Sequence, residues 1–221
     1  MDDGDGGRGR LIRERRVQYE TAGLDIVDVD PDPMELWHRW HRDAFDAGVA
    51  EPNAMTVSTV DVYGAPDARI VLVRGADEAG FAFYTNYESA KSRQLNANPV
   101  AAATFGWLDL HRQVRVRGTV RRVSEQESDE YWASRPRSSQ LGSAASPQSA
   151  VIADRSELDR LVAAQELVHE QSDVIPRPAH WGGWRLAPDE FEFWQGRPSR
   201  LHDRIRFRRV DGRWALERLA P

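Results

Sequence analysis

The stretch MTVSTVDVYGAPDARIVLVRGADEAGFAFYTN, residues 55–86, decides the architecture of this chain of 221 residues. Three apolar-rich runs, Met55–Val62, Ala68–Arg74 and Phe81–Asn86, are separated by Tyr63-Gly64-Ala65-Pro66-Asp67 and by a turn through Asp77–Gly80. β-Branched and aromatic residues fill the runs, and Gly, Pro and Asp fill the gaps, which is the signature of short strands joined by turns. By itself the stretch predicts a three-strand meander. Downstream, Pro99 leads into a further run, Val100–Phe105. In the next, Gln113–Thr119, Val114 and Val116 alternate with Gln113, Arg115 and Arg117, giving an apolar back and a basic front at the strand period. Consecutive strands on short links predict an antiparallel sheet or closed barrel in preference to alternating βαβ units.

Helical signals surround this block. Leu36, Trp37, Trp40, Ala44 and Phe45 recur at three and four residues between Pro33 and Gly48. His38 and His41 lie on that helix without a third ligand or an HExxH pattern, so they read as surface histidines and no metal is assigned. A short helix around Ser89–Asn96 carries Lys91 and Arg93. Capping boxes at Ser124–Glu127 and Ser156–Asp159 open helices to about Ser134 and about Ser172. Between them, RPRSSQLGS reads as a loop whose Arg135, Arg137, Ser138, Ser139 and Gln140 suit phosphate oxygens, and Ser146–Ser149 is a second polar loop. Toward the C-terminus, Phe191 and Phe193 alternate with Glu190 and Glu192 until Gly196 and Pro198 break the ladder. Read as extended chain, the Arg200, His202 and Arg204 that follow share one face, while Arg197 defaults to the surface. Asp211-Gly212 joins a last hairpin, Ile205–Val210 with Trp214–Leu219.

Composition narrows the chemistry. A hydrophobic fraction of 40% with 29% charged residues is that of a globular protein, and no apolar run reaches membrane-spanning length. The absence of cysteine removes disulfides, thiolate nucleophiles and cysteine metal sites together, and points to a cytoplasmic home. A net charge of −5 argues against nucleic acid as a partner, while local arginine clusters suit small anions. Residues 1–12 read as a disordered tail before a single domain, 13–221. Gly4, Gly6 and Gly9 match GxGxxG, but no strand precedes them and no apolar helix follows, so the match is set aside. No GxSxG elbow or P-loop is present. What remains is a β-rich chain with several cationic and amide-bearing loops and eight tryptophans, which suits a planar aromatic ligand bearing a phosphate. Flavin mononucleotide (FMN) and pyridoxal phosphate both answer that description.

The segments RIVLVR (69–74), FYTN (83–86), AKSRQL (90–95), RQVRVRG (112–118), YWASRPRSSQLG (131–142), PQS (147–149) and WGGWRLAPDEFEFWQGRPSRLHDR (181–204), with the closing ERLAP, resemble the pyridoxine/pyridoxamine 5′-phosphate oxidase family. The resemblance covers nearly the whole chain from about Arg16. It implies a mainly β, Greek-key-like antiparallel split β-barrel with peripheral helices, binding FMN at the interface of a homodimer with shared active sites. By position, Arg69 and Lys91 would hold the FMN phosphate. Ile70, Val71, Leu72, Val73, Arg74, Tyr84 and Thr85 would line the flavin site, and Gln113 would address the ring. Gln148, Ser149, Trp194 and Arg204 would complete that site from the second subunit. Arg74, Tyr131, Arg135 and Ser139 would clasp the substrate's 5′-phosphate. Arg200 and His202 would cover its pyridine ring as the catalytic pair, and Arg16 and Tyr19 would close over it as a lid.

The implied reaction moves hydride from the substrate's C4′ to the flavin and then reoxidises the flavin with O₂ to give peroxide. Two positions depart from the family's usual residues: Arg74 stands for a common lysine and Ala90 for a frequent arginine, which implies weaker FMN binding. Arg69 and Arg74, an odd number apart, face opposite sides of a regular strand, so a bulge or two separate sites must reconcile them. Competing readings are a split-barrel flavin oxidase of the phenazine-biosynthesis type, a non-catalytic flavin or pyridoxal-phosphate binder, and a stress-related or heme-handling split barrel.

Overall fold

The computed structural model describes Tyr19, Thr21 and residues 23–221. The N-terminal tail, the discarded glycine match and Arg16 lie outside the described residues. In chain order the elements are α1 (Pro33–Asp46), β1 (Ala54–Val60), β2 (Pro66–Leu72), β3 (Gly75–Asp77), β4 (Gly80–Asn86), α2 (Ala90–Ala97), β5 (Val100–Trp107), β6 (Arg112–Arg122), α3 (Glu125–Ser134), α4 (Arg137–Ala145), α5 (Arg155–Val168), β7 (Trp181–Gln195), β8 (Asp203–Val210) and β9 (Arg213–Arg218). No helix among the described residues is long and apolar enough to cross a membrane.

The strands form one antiparallel sheet in the order β2-β1-β5-β6-β7-β4-β3, with β8 on β7 and β9 on β8. The expected meander is corrected: β1 and β2 form a hairpin, but β4 pairs with β3 and β7 instead of β2. β2 and β3 stand at opposite ends of the order, yet only Val73 and Arg74 separate them in the chain. A link that short reaches about 10 Å at most, so the two sheet ends must meet and the sheet must curl into a barrel. The linking residues bridge both ends, since Val73 N–H donates to Asn53 O at 2.9 Å and Arg74 N–H donates to Ala82 O at 2.8 Å. The expected mainly β split barrel is what the topology builds.

β7 organises the barrel, pairing with β4 along Trp181–Leu186, with β8 along Glu190–Gln195, and with β6 along nearly its whole length. The β6–β7 register shifts between Arg117 and Gly118, where the strand bends past Ala187 and Pro188. Inward, Val114, Val116, Phe191, Phe193, Ile205 and Phe207 are each fully buried. Burial of a side chain of this size contributes roughly 1.5–3 kcal/mol relative to exposure. α1 closes the core, with Trp37 edge-on to Phe81 at 4.9 Å and Trp40 edge-on to Phe193 at 5.3 Å. A smaller apolar cluster of Trp132, Leu141, Ile175 and Trp181 sits outside the barrel beneath α3 and α4.

Several local expectations change. The basic front of β6 is neutralised by carboxylates of β7 paired on the same face, Arg115 with Glu192 at 2.9 Å and Arg117 with Glu190 at 4.0 Å. His38 and His41 are half-buried partners of Trp37, His41 stacking on it at 4.9 Å, whereas Phe45 of the same apolar pattern is exposed. The 135–142 segment is mostly helix α4, because Pro136 supplies a favourable φ for helix entry and nothing breaks the run until Ser146. α5 is capped by Asp154, which accepts from Glu157 N–H, so it starts before the Ser156 box and ends at Val168.

Candidate active site

At the seam where β2 crosses to β3, the end of β4, the start of α2, and helices α3 and α4 surround a cavity of about 570 Å³. Its lining holds four cations, Arg69, Arg74, Lys91 and Arg135, and, among the described residues, no carboxylate. The parity problem of Arg69 and Arg74 is solved here: regular strand ends at Leu72, so Arg74 belongs to the crossing link and turns to the same cavity.

The cations form two groups. At one end Arg69 is held from β1 and α2, its Nη1 donating to Thr59 Oγ1 at 2.6 Å and its Nη2 to Gln94 Oε1 at 3.2 Å, beside the Asp67 carboxylate. Lys91 Nζ donates to Thr85 Oγ1 and to Gln148 Oε1, both at 3.0 Å. Burial, and then the neighbouring Arg69, lower the Lys91 pKa to about 8. An anion bound here needs the ammonium form. Above about pH 8 the empty site has lost that proton and binding must take it up, so affinity for a phosphate-bearing ligand is expected to fall progressively between pH 8 and 10. A Lys91→Met variant should lose that slope in a fluorescence titration; a wild-type affinity flat across this range would exclude the effect.

At the other end Arg135 Nη2 donates to Ser143 Oγ at 2.9 Å, while its Nη1 is buried with no hydrogen-bond partner among the described residues. The guanidinium lies 4.6 Å above the Trp181 ring, and burial with Arg74 nearby draws its pKa below the ordinary arginine value, against the opposing effect of Tyr131. It stays charged, as guanidinium does throughout the working range. Between the two ends, Tyr84 stacks on Tyr131 at 4.0 Å and Tyr131 runs parallel to Trp181 at 6.1 Å. The Tyr84 hydroxyl donates to Glu127 Oε1 at 3.2 Å, and burial plus that carboxylate push its pKa up, so it acts as a donor and not as a base. Space for the Tyr84 ring requires glycine behind it, since a Cβ on Gly183 would stand 2.7 Å from Tyr84 Cε1. A cation-rich, carboxylate-free cavity with an orphaned buried guanidinium nitrogen and a wall of stacked aromatics fits phosphate-bearing aromatic ligands.

The structure thus gathers Arg69, Ile70, Val71, Leu72, Arg74, Tyr84, Thr85, Lys91, Tyr131, Arg135 and Gln148 around one cavity. Val73 does not join them, because its side chain turns into the core. Gln148 reaches this cavity within its own chain, and the adjacent exposed Ser149 is left-handed, with φ 71°. Ser143, not Ser139, bonds Arg135, although the two are one turn apart on the same face of α4. Trp181, Ser143 and Glu127 were not read as site residues from sequence. The paired glycines of WGGW mark close approach of neighbouring rings, and Ser143 lies four residues from Ser139.

Gln113, Trp194, His202, Arg204 and Tyr19 form a second cluster. Gln113, Trp194 and Arg204 occupy one cross-strand row of β6, β7 and β8. The His202 ring is 4.6 Å from Trp194, and its Nδ1 accepts from Arg197 N–H at 3.1 Å. Tyr19 lies 5.8 Å from His202 and 4.2 Å from His111. The expected extended run is corrected: Pro198 opens a tight turn and Ser199 and Arg200 have φ of 58° and 62°, so Arg200 does not continue the face of His202 and Arg204. Arg197 is also corrected from a surface residue to an anchor, its Nη1 donating to Thr21 O at 2.6 Å and its Nε lying 3.5 Å from Asp203. Tyr84 pairs with Gly183 and Gln113 with Trp194, eleven residues farther along β7. That is about 35 Å of strand contour. The two clusters therefore stand on well-separated stretches of the sheet.

Comparison with known proteins places these features. The profile of the family described as "Pyridoxamine 5′-phosphate oxidase" matches residues 42–169, and that of the "Pyridoxine 5′-phosphate oxidase C-terminal dimerisation region" matches residues 181–221. The chain is 53% identical to a pyridoxine/pyridoxamine 5′-phosphate oxidase of Ralstonia pickettii, over 95% of this chain and 99% of that one. It is 50% identical to the protein of that name in Synechocystis, over 96% and 99%. Among solved structures it is similar to PhzG from Burkholderia lata, crystallised with tetrahydrophenazine-1-carboxylic acid, at 29% identity and TM-score 0.86, covering 93% of this chain and 100% of that one. An FMN-binding protein of Nostoc punctiforme, 17% identical with TM-score 0.68 over 87% of this chain and 100% of that one, shares the fold.

Proposed function

Because this chain belongs to the pyridoxamine 5′-phosphate oxidase family, we propose that it oxidises pyridoxamine 5′-phosphate and pyridoxine 5′-phosphate to pyridoxal 5′-phosphate, with FMN as cofactor and O₂ as electron acceptor. The observation that carries this reading is the cavity with a cationic group at each end and, among the described residues, no carboxylate in its lining, which provides for two phosphates on either side of an aromatic wall. Pyridoxine 5′-phosphate plus O₂ gives the aldehyde and hydrogen peroxide; the amine also consumes water and releases ammonia. When bound, FMN supplies the two-electron acceptance from the substrate's C4′ carbon and the return of those electrons to O₂.

The protein's part is binding and alignment. Arg69 and Lys91 hold the FMN phosphate, with Gln148 and Thr85 fixing the ammonium group between them. Arg74 and Arg135 hold the substrate's phosphate, and the unpartnered Nη1 of Arg135 offers it an N–H. Ile70, Val71 and Leu72 give the flavin an aliphatic edge. Gln113, Trp194, Arg200, His202 and Arg204 act from a second copy of the chain. Two facts support this: their separation from the first cavity along β7, and their placement, Gln113 apart, in the matched C-terminal dimerisation region. The Arg197 N–H occupies His202 Nδ1, so the neutral ring carries its proton on Nε2 and presents a donor toward the substrate.

Purified protein reconstituted with FMN should take up O₂ on addition of pyridoxamine 5′-phosphate and release one pyridoxal 5′-phosphate and one peroxide per O₂. An FMN-loaded protein that consumes no O₂ with either the amine or the alcohol would exclude the assignment.

A further inference from the structure

We propose that Glu192, assisted by the main-chain carbonyl of Ala220, is the positioning residue that holds the Arg204 guanidinium ready for the cofactor. The inference rests on the reading of Arg204 as a cofactor contact and adds the device that aims it.

Glu192 lies on the outer face of β7, the face of Trp194, yet it is only 5% exposed. Both oxygens are taken: Oε1 accepts from Arg204 Nε at 2.8 Å and Oε2 from Arg115 Nη1 at 2.9 Å. Arg115 is its direct cross-strand partner on β6, whereas Arg204 reaches it diagonally from β8, where it stands opposite Trp194. The chain's closing segment supplies the second hold. Arg204 Nη1 donates to Ala220 O at 2.8 Å, and Leu219 N–H donates to Arg204 O at 2.9 Å, so the ERLAP ending is bonded to both the main chain and the side chain of Arg204.

The arrangement fixes a planar group from two sides. With Nε and Nη1 engaged, the direction of the Arg204 fork is set and the Nη2 amino group makes no protein hydrogen bond among the described residues. A free arginine side chain has many rotamers to lose on binding, and fixing it before the ligand arrives removes that cost. A buried carboxylate is costly to keep unless paired, which makes Glu192 a poor choice for simple packing and a suitable one for orienting cations. Outer-shell partners of metal ligands alter affinity or activity roughly 10- to 100-fold, and an effect at the lower end of that range is expected of Glu192.

The test is FMN titration of apoprotein, followed by quenching of flavin fluorescence, with Glu192→Gln, Arg204→Ala and the double variant. Glu192→Gln should weaken FMN binding about tenfold, and Arg204→Ala at least as much. If Glu192 acts through Arg204, the double variant binds no more weakly than Arg204→Ala alone, because the orienting bond has lost its object. Glu192→Asp, which keeps the charge but withdraws it by one methylene, serves where the glutamine variant does not fold and should show the same coupling. Fully additive losses, or an unchanged FMN affinity in Glu192→Gln beside a weakened Arg204→Ala, overturn this inference alone. An unchanged affinity in Arg204→Ala overturns the cofactor contact and this inference with it.

Discussion

Replacing Arg135 with methionine is expected to lower kcat/KM for pyridoxamine 5′-phosphate about a hundredfold while leaving FMN content unchanged. The buried Nη1 of Arg135 is the most exacting demand in the cavity, because the cation has been desolvated and, among the described residues, given one hydrogen bond, to Ser143, beside its aromatic contacts. A phosphate oxygen completes it. Losing a charge-assisted hydrogen bond of this kind costs about 3 kcal/mol, and each 1.4 kcal/mol is tenfold. Methionine retains an apolar stem against Trp132 and Trp181, which limits collapse of the small cluster beneath. Since the phosphate takes no part in the chemistry, the loss should fall mainly on KM. The ligand-free variant should melt no lower than the parent, because it no longer buries an incompletely paired cation near Arg74. Steady-state kinetics with kcat/KM within about threefold of the parent would remove Arg135 from the substrate site.

The second large effect is on the fold. Gly118→Ala should lower the melting temperature by about 10 °C, because it destabilises the barrel by about 3 kcal/mol. A Cβ at Gly118 would lie 1.9 Å from Ala187 O and 3.0 Å from Pro188 Cα, so the obstruction is the β7 main chain and not a side chain that can swing away. This is also where the β6–β7 register shifts, and any widening there is transmitted to the longest strand pairing in the protein. Gly106→Ala on β5 is the control, since nothing among the described residues lies within 4 Å of its added Cβ. Calorimetry showing equal melting of the Gly118 and Gly106 variants would refute the close-approach account.

Much of this architecture was readable because strand alternation is a local property. Val114 and Val116 against Arg115 and Arg117 announce a two-faced strand wherever it pairs. The partners were not readable. β4 follows β2 closely in sequence but bonds to β7, a hundred residues later, and nothing in FAFYTN specifies that choice. The same holds for the charges: the front of β6 reads as basic until Glu190 and Glu192 are laid beside it. His41 reads as a surface residue because helical spacing does not reveal that Trp37 will turn a face toward it.

The site divides along the same line. The resemblance carried by RIVLVR, AKSRQL and YWASRPRSSQLG picked out Arg69, Lys91, Tyr131 and Arg135, all of which line one cavity. It passed over Trp181 and Ser143, whose roles come from packing rather than from chemistry of their own. Sequence by itself determined the residue types, the strand runs and the family, because each is encoded in short segments or in their order. Only the tertiary structure decided that the chain crosses from one sheet edge to the other at Val73-Arg74, so that Arg69 and Arg74 meet despite their parity. It also decided that Trp194, His202 and Arg204 stand far along β7 from that cavity. The physical reason is that barrel closure depends on hydrogen-bond partners distant in sequence, and it sets which side chains share a space.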